Sequence, residues 1–243
     1  MAPLRRMATA VCQAVRRNYA VSAPEQLDRC QEAALKENCI VVDEDDRAVG
    51  HATKRECHRV DARGALVLHR AFSVFLFNSR EELLLQKRSS HKITFPSCYT
   101  NACCSHPLFD IPAEREEEAA LGVRLAARRR LQHELGVSPD DVPVDSLRYL
   151  TRIHYRAEMD GGWGEHEIDY VLILHRDVTL DPNPEEVSDV LYVDRGGLDA
   201  LVSAGEEPLS PWFRLIAQSH LRSWWDNLHQ LDRYQDHETI HRF

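Results

Sequence analysis

The chain has 243 residues, of which 43% are hydrophobic and 28% are charged, and its formal net charge is −9. This composition is ordinary for a globular protein, and the length suits one sizeable hydrophobic core. The acidic balance excludes a general nucleic-acid binder, and no apolar run approaches the roughly 18 residues that an integral membrane segment needs.

Residues 1–28 are predicted to be an N-terminal extension outside the folded domain. They contain four arginines and no acidic residue before Glu25. On a helical wheel the apolar residues fall opposite the arginines, which is typical of a mitochondrial transit peptide. The alternative is a disordered extension with chance patterning. A single domain is expected over residues 29–243.

Hairpin patterns follow the extension. Residues 39–53 predict a strand, an acidic turn and a second strand, and residues 68–88 predict another hairpin. Further along, residues 149–157 and 165–174 predict two strands on either side of a Gly-rich turn. These segments indicate a sheet as the centre of the fold.

Residues 111–137 give the clearest helical pattern. Pro112 suits a first turn, acidic residues crowd the N-terminal end, and Gly136 is expected to end the helix. The C-terminal third, from about residue 183, is also helical in pattern. Strands precede a helix, more strands follow and helices close the chain, so the sequence predicts one mixed α/β (α+β) domain.

Two glutamates are candidate metal ligands. Glu165 and Glu167 lie two residues apart in a predicted strand, so both carboxylates project from the same face. They repel each other unless a cation or a shared proton intervenes. His58, His69 and His106 are candidate partners, and such a set favours Zn²⁺ or Mn²⁺ over Mg²⁺. The alternative is a solvated strand edge with unrelated histidines.

The segment TNACCSHPLF contains two adjacent cysteines, Cys103 and Cys104, shortly before His106. Seven scattered cysteines without a secretory signal indicate reduced thiols. A disulfide between neighbours is rare, and a zinc site would need a second local pair. A structural pair, half of a metal site and a reactive thiol beside a ligand are the three interpretations to test.

The segment RRLQHELGV, residues 129–137, resembles the Nudix box, which holds divalent metal on diphosphates. Arg129, Leu131, Glu134 and Gly136 match that box, whereas Arg130 and His133 replace two of its glutamates. These replacements leave one carboxylate for Mg²⁺ and add a cation that could bind phosphate. An ordinary amphipathic helix with a glycine stop is the alternative.

Longer segments resemble one enzyme family. The chain contains, in this order, HRAFSVFLFN, KITFPSCYTNACCSHP, AARRRLQHELG, YLTRIHYRA, GGWGEHEIDY and PWF. From about residue 30 to the end it is similar to the animal-type form of the type I isopentenyl-diphosphate Δ-isomerases. The resemblance implies a Nudix-type fold, a mixed sheet packed between helices with an added C-terminal helical segment. It also implies interconversion of isopentenyl and dimethylallyl diphosphate by a 1,3 proton shift, in isoprenoid biosynthesis.

The resemblance assigns roles to individual residues. It implies catalytic roles for Cys104, Glu167 and Tyr155, with Cys103 a bystander. By the same resemblance, Glu167 with Tyr155 protonates isopentenyl diphosphate and Cys104 deprotonates the resulting cation. One difference is visible, because Ser97 follows Pro96 where the family usually has glycine. The implied metal ligands are His58, His69, His106, Glu165 and Glu167, with Glu134 for substrate-bound Mg²⁺, and the implied substrate-binding residues are Lys54, Arg88, Lys92, Arg130 and Trp212.

The expected cofactors are Mg²⁺ with the substrate diphosphate and a second divalent ion (Zn²⁺, Mn²⁺ or Mg²⁺) at the His/Glu site, without flavin or nicotinamide. The expected partner is a small prenyl diphosphate, and the expected state is a monomer that binds no nucleic acid. The family suggests cytoplasm or peroxisome, while the Arg-rich N-terminus favours mitochondria. The alternative functions are a Nudix hydrolase of a diphosphate and a silent prenyl-diphosphate-binding module.

Overall fold

Strand β3 (His69–Phe77) lies at the centre of the computed structural model, which describes residues 29–205 and 208–243. All nine residues of this strand are buried because it has neighbours on both sides. It pairs in parallel with β8 (Trp163–His175) along its whole length and antiparallel with β6 (Cys103–Ser105). The predicted N-terminal helix lies outside the described residues.

The ten strands within residues 29–205 and 208–243 form one mixed sheet whose main path runs β10-β7-β8-β3-β1-β2, while β4 links β3 to β5 and β9. The strands are β1 (Asn38–Val42), β2 (Ala48–Thr53), β3, β4 (Leu83–Arg88), β5 (Tyr99–Asn101), β6, β7 (Arg148–Met159), β8, β9 (Val187–Val193) and β10 (Ile240–Arg242). The α-helices are α1 (Arg29–Ala34), α2 (Lys54–His58), α3 (Leu121–Leu135), α4 (Arg195–Ala204), α5 (Pro211–Ser219) and α6 (Leu221–Trp225). Short 3₁₀ helices span Pro112–Arg115, Glu118–Ala120, Val144–Ser146 and Leu228–Tyr234.

Two hydrophobic clusters cover the two faces of the sheet. Alternation along β3 sends Phe75 and Phe77 toward a cluster that contains Trp212 of α5. The intervening Val74 joins a second cluster that contains Leu131 of α3. Helices thus pack on both faces, and the predicted mixed α/β architecture is confirmed.

The hairpin predictions are confirmed in two cases and partly in a third. Strands β1 and β2, and likewise β7 and β8, are antiparallel neighbours. Strands β3 and β4 meet only at the Phe77–Leu83 pair beside their turn. Beyond that pair they diverge, since β4 pairs with β5 and β9 instead.

The helix predicted over residues 111–137 begins ten residues later than its sequence pattern indicates. Ala119 and Ala120 adopt left-handed backbone angles, with φ of +49° and +55°, which separates a preceding 3₁₀ segment from α3. The segment before α3 packs against the first turn of this helix, where a Cβ on Gly122 would lie 2.3 Å from the carbonyl oxygen of Glu114. The predicted end is confirmed, because Gly136 has φ of +65° and its N–H donates to Gln132.

The C-terminal third is helical only from α4 onward. The prediction missed β9, which pairs with β4 through most of its length, and β10, which pairs in parallel with β7. Both strands are stabilised by pairing with strands that are far away in the sequence, and the local pattern of residue types does not reveal such pairing. Among the described residues, none of the helices has the length and apolar character needed to cross a bilayer.

The loop between β4 and β5 contains a strained position. Ser97 has φ of +60°, a left-handed conformation that glycine adopts without cost. The position is fixed because the Ser97 N–H donates to the carbonyl of Arg88, whose own N–H donates to Cys98. The sequence difference from the family therefore falls where the backbone favours glycine.

Replacing Ser97 with glycine is expected to raise the free energy of unfolding by about 0.5–1 kcal/mol, because relief of left-handed strain exceeds the added entropy of the unfolded chain. Urea denaturation measures the change. Ser90→Gly in the same loop is the matched control, since Ser90 is not among the residues of positive φ, and this variant is expected to lose stability. A destabilised Ser97→Gly protein would contradict the account of strain.

Candidate active site

Three histidines converge on one carboxylate oxygen. His58 ends α2, His69 begins β3, and His106 directly follows β6. Their Nε2 atoms lie 3.7, 3.3 and 2.9 Å, respectively, from Oε1 of Glu167. The parallel register places Glu167 of β8 directly beside His69 of β3, and all four residues are buried. The fold thus brings together residues from four separate segments.

Hydrogen bonds fix the orientation of two of these rings. Nδ1 of His58 contacts the carbonyl of Lys54, and Nδ1 of His69 contacts the carbonyl of Val67, both at 2.9 Å. Nδ1 of each of these two rings therefore carries a proton, which leaves Nε2, on the Glu167 side, as the nitrogen that would coordinate a metal. Nε2 of His69 is buried without a hydrogen-bond partner. Three inward-facing imidazole nitrogens and a carboxylate fit a divalent ion such as Zn²⁺ or Mn²⁺.

The ionisable side chains of this cluster have strongly shifted pKa values, and the shifts differ in direction. Burial lowers the pKa of His58 to about 4 and that of His106 well below its ordinary value. Burial also disfavours charge on His69, but the Glu167 carboxylate, 3.3 Å from its Nε2, outweighs it and raises the His69 pKa to about 9. Histidine hydrogen bonds likewise outweigh burial at Glu167 and hold its pKa well below its usual range. The cluster therefore holds one imidazolium, and metal binding would displace its proton.

Tyr155 connects the two strand glutamates. Its hydroxyl lies 2.6 Å from Oε2 of Glu167 and 2.8 Å from Oε2 of Glu165. A phenol has one hydrogen and donates to only one carboxylate, so the second contact needs a second proton. Burial and the charge of Glu167 raise the pKa of Glu165 to about 7, which favours a proton there. Among the described residues, the potential ligand atoms of His58, His69, His106 and Glu167 all lie within 4.8 Å of one another. Glu165 does not belong to this group.

Cys104 is held by polar groups on the opposite side of β3 from β8. The antiparallel register pairs Cys104 with Ser73. Its Sγ lies 3.0 Å from Oδ1 of Asn101 and 2.8 Å from Nε1 of Trp212, which donates to the sulfur. Burial raises the pKa of Cys104 to about 12, so the group rests as a thiol. Cys103 points away and packs in the cluster beneath α3.

One cavity joins the thiol to the carboxylates. Cys104, Tyr155, Glu165, Glu167 and Trp212 all line it, together with His58 and His106. Because β6 and β8 flank β3, Cys104 and Glu167 approach this cavity from opposite sides. The arrangement provides two proton-transferring groups with an enclosed space between them.

The predicted phosphate-binding cations divide into two groups. Lys54, Arg88 and Lys92 line the cavity. Arg130 and the predicted magnesium ligand Glu134 do not line it; both are buried, and they pair with each other at 2.8 Å. Arg88 also lies over the ring of Trp212, 5.3 Å from its centroid.

Sequence reasoning missed two residues that contact the site. Glu186 contacts Lys92, Arg130 and His133, although nothing in its Asn-Pro-Glu-Glu turn marks it. Asp169 accepts a hydrogen bond from Ser73 at 2.7 Å. A signal for Asp169 existed, since it continues the alternation of Glu165 and Glu167 along the same face of β8.

Known proteins are similar to this chain in sequence and fold. The model of the NUDIX domain family matches residues 67–213. The Bos taurus protein isopentenyl-diphosphate Delta-isomerase 1 is 51% identical over 221 residues, covering 90% of this chain and 97% of its own. The Arabidopsis thaliana chloroplastic isopentenyl-diphosphate Delta-isomerase I is 47% identical over all of this chain and 87% of its own.

A crystal structure from Deinococcus radiodurans has the same fold, with a TM-score of 0.51 and 21% identity, covering 76% of this chain and 99% of that one. Sequence likeness of this extent to the curated relatives, together with the domain match, establishes the relationship. The chain belongs to the isopentenyl-diphosphate Delta-isomerase family and contains a NUDIX domain.

Proposed function

We propose that this protein interconverts isopentenyl and dimethylallyl diphosphate by a 1,3 proton shift through a tertiary carbocation. The observation that carries the proposal is the cavity with the Cys104 thiol on one side and the Glu167–Tyr155 pair on the other. Moving an unactivated double bond requires a proton to be added at one carbon and removed two carbons away. Two groups that give and take protons across the substrate meet this requirement.

The proton count balances over one turnover. In the forward direction the Glu167–Tyr155 side gives a proton to the terminal alkene carbon. The Cys104 sulfur, as thiolate, takes one from the carbon that lies between the cationic carbon and the diphosphate-bearing methylene. The protein is then left with a thiol and an ionised Glu167, and a second forward turnover requires a proton to return from Cys104 to the Glu167–Tyr155 side through solvent. That state matches the raised pKa of Cys104 and the low pKa of Glu167, and it begins the reverse reaction.

Trp212 stabilises the carbocation, and the enclosed cavity protects it from water. An indole face attracts a cation by about 2 kcal/mol when it is desolvated. Phe95 packs edge-on against Trp212, with 5.8 Å between ring centroids, and helps to fix its plane. Exclusion of water matters because water would trap the cation as an alcohol.

Two cation sites accompany the proposal. His58, His69, His106 and Glu167 would hold a divalent ion, with Glu165 as a further ligand, and Glu134 would bind the Mg²⁺ of the substrate. A bound ion supplies charge that tunes the acidity of the carboxylates. The side chains of Lys54, Arg88 and Lys92 bind and orient the diphosphate, which fixes the hydrocarbon between the two proton-transferring groups.

The test is to incubate isopentenyl diphosphate with the protein and Mg²⁺ in D₂O. Deuterium in dimethylallyl diphosphate, followed by NMR and mass spectrometry, is the expected result because each turnover exchanges protons through the site. Release of inorganic phosphate or diphosphate would favour a NUDIX hydrolase. Recovery of unchanged substrate bound to the protein would favour a silent binding module.

A further inference from the structure

Glu186 occupies the position of an anion among the groups proposed to bind diphosphate. Its carboxylate lies 2.5 Å from Nζ of Lys92, 3.2 Å from Nη2 of Arg130 and 3.1 Å from Nε2 of His133. These donors are the ones that bind phosphate oxygens elsewhere. Although burial disfavours the charged form, Lys92, His133 and Arg130 hold the pKa of Glu186 well below its usual range. The carboxylate is therefore ionised.

Local charge is nearly balanced while Glu186 is in this position. The cations Lys92 and Arg130 face the carboxylates of Glu186 and Glu134, and all four side chains are at most 10% exposed. An arriving diphosphate must compete with these partners for Lys92 and Arg130. Two further cations, Lys54 and Arg88, line the cavity together with Lys92, whereas Arg130 does not.

The backbone of Glu186 is anchored close to the cavity cations. Glu186 lies in the turn before β9, where its carbonyl accepts a hydrogen bond from Ser89. The backbone is thus fixed, and the side chain is the part that can rotate away.

We propose that the Glu186 carboxylate is an internal substitute for the substrate diphosphate, which it holds off Lys92 and Arg130 until substrate displaces it. This inference rests on the proposed function, since it assumes that these cations bind diphosphate. Glu186 thereby sets the affinity and selectivity of the site. Weak anions fail to displace a carboxylate held by three donors, whereas a multivalent diphosphate gains enough contacts to do so.

The experiment is calorimetric titration of the full chain with inorganic diphosphate at pH 6.5, first in EDTA and then in Mg²⁺. Glu186→Gln keeps the shape and removes the competing charge. It is expected to bind metal-free diphosphate about tenfold more tightly than the wild type, which corresponds to about 1.4 kcal/mol. Glu186→Ala is the second neutral variant and is expected to shift in the same direction. Thermal unfolding verifies that both variants fold.

Glu185→Gln is the matched control, because Glu185 is the adjacent residue, is half-exposed and pairs with His91 instead. Its diphosphate affinity is expected to stay within twofold of wild type. Unchanged affinity in both Glu186 variants would overturn the inference. Weakened binding only in Mg²⁺ would also overturn it and would assign Glu186 to the metal.

The experiment distinguishes failure of the proposed diphosphate site from failure of the role assigned to Glu186. If the wild type binds no diphosphate in either condition, the proposed diphosphate site is wrong. If the wild type binds diphosphate and turns over isopentenyl diphosphate, but the Glu186 variants do not bind more tightly in EDTA, only the role of Glu186 is wrong.

Discussion

Replacing Cys104 with alanine is expected to lower kcat for isopentenyl diphosphate by at least about 10²-fold, because a positioned proton-transfer group typically contributes 10²–10⁴-fold. The substitution removes the only thiol that lines the cavity among the described residues. Substrate binding should change little, since the diphosphate contacts lie elsewhere. Steady-state kinetics in Mg²⁺ and calorimetry with inorganic diphosphate separate the two effects.

Cys103→Ala is the matched control for this prediction. The two cysteines are neighbours in β6, but Cys103 is fully buried on the other face of the sheet. Its loss removes one buried sulfur and is expected to cost about 1 kcal/mol of stability while kcat stays within twofold. Retention of more than a tenth of the wild-type rate by Cys104→Ala would exclude the thiol from its assigned role.

The sequence predicted the site better than it predicted the boundaries of the fold. Strand alternation alone placed Glu165 and Glu167 on one face, and both side chains line the cavity. The choice of His58, His69 and His106 among thirteen histidines came from the family resemblance. Spacing could not select them, because they meet through the pairing of distant strands.

Errors arose where tertiary contacts override local preference. The pattern over residues 111–137 is helical throughout, yet left-handed angles at Ala119 and Ala120 delay α3 until Leu121. The close approach at Gly122 shows that the preceding segment packs on the helix instead of extending it. Glu186 was missed for the same reason, since a polar turn gives no sign that its side chain is buried.

Arg130 illustrates how a correct motif can mislead about position. Its i, i+4 spacing to Glu134 places both side chains on one face of the helix. The structure adds that this face is buried and that both residues already pair with each other and lie outside the cavity lining. A phosphate role for Arg130 therefore requires rearrangement of its carboxylate partners.

Replacing Glu167 with glutamine is expected to affect metal binding and catalysis together. Oε1 of Glu167 faces three histidine nitrogens, while Oε2 contacts the Tyr155 hydroxyl. An amide keeps the shape but removes the charge that balances a cation, so affinity for Zn²⁺ or Mn²⁺ should fall by at least about tenfold. Loss of the carboxylate also removes a proton carrier, so kcat should fall by at least about 10²-fold even at saturating metal.

Equilibrium dialysis with elemental analysis measures the bound metal, and kinetics at several metal concentrations measure kcat. Glu158→Gln is the control, because Glu158 lies on the neighbouring strand but pairs with Arg156 near the surface. The two functions assigned to Glu167 are separable by these readouts. Wild-type metal affinity in Glu167→Gln would remove the residue from the metal site, while rescue of kcat by excess metal would limit it to that site. Loss of turnover that persists at saturating metal is the outcome required by a carboxylate that both holds the ion and carries the proton.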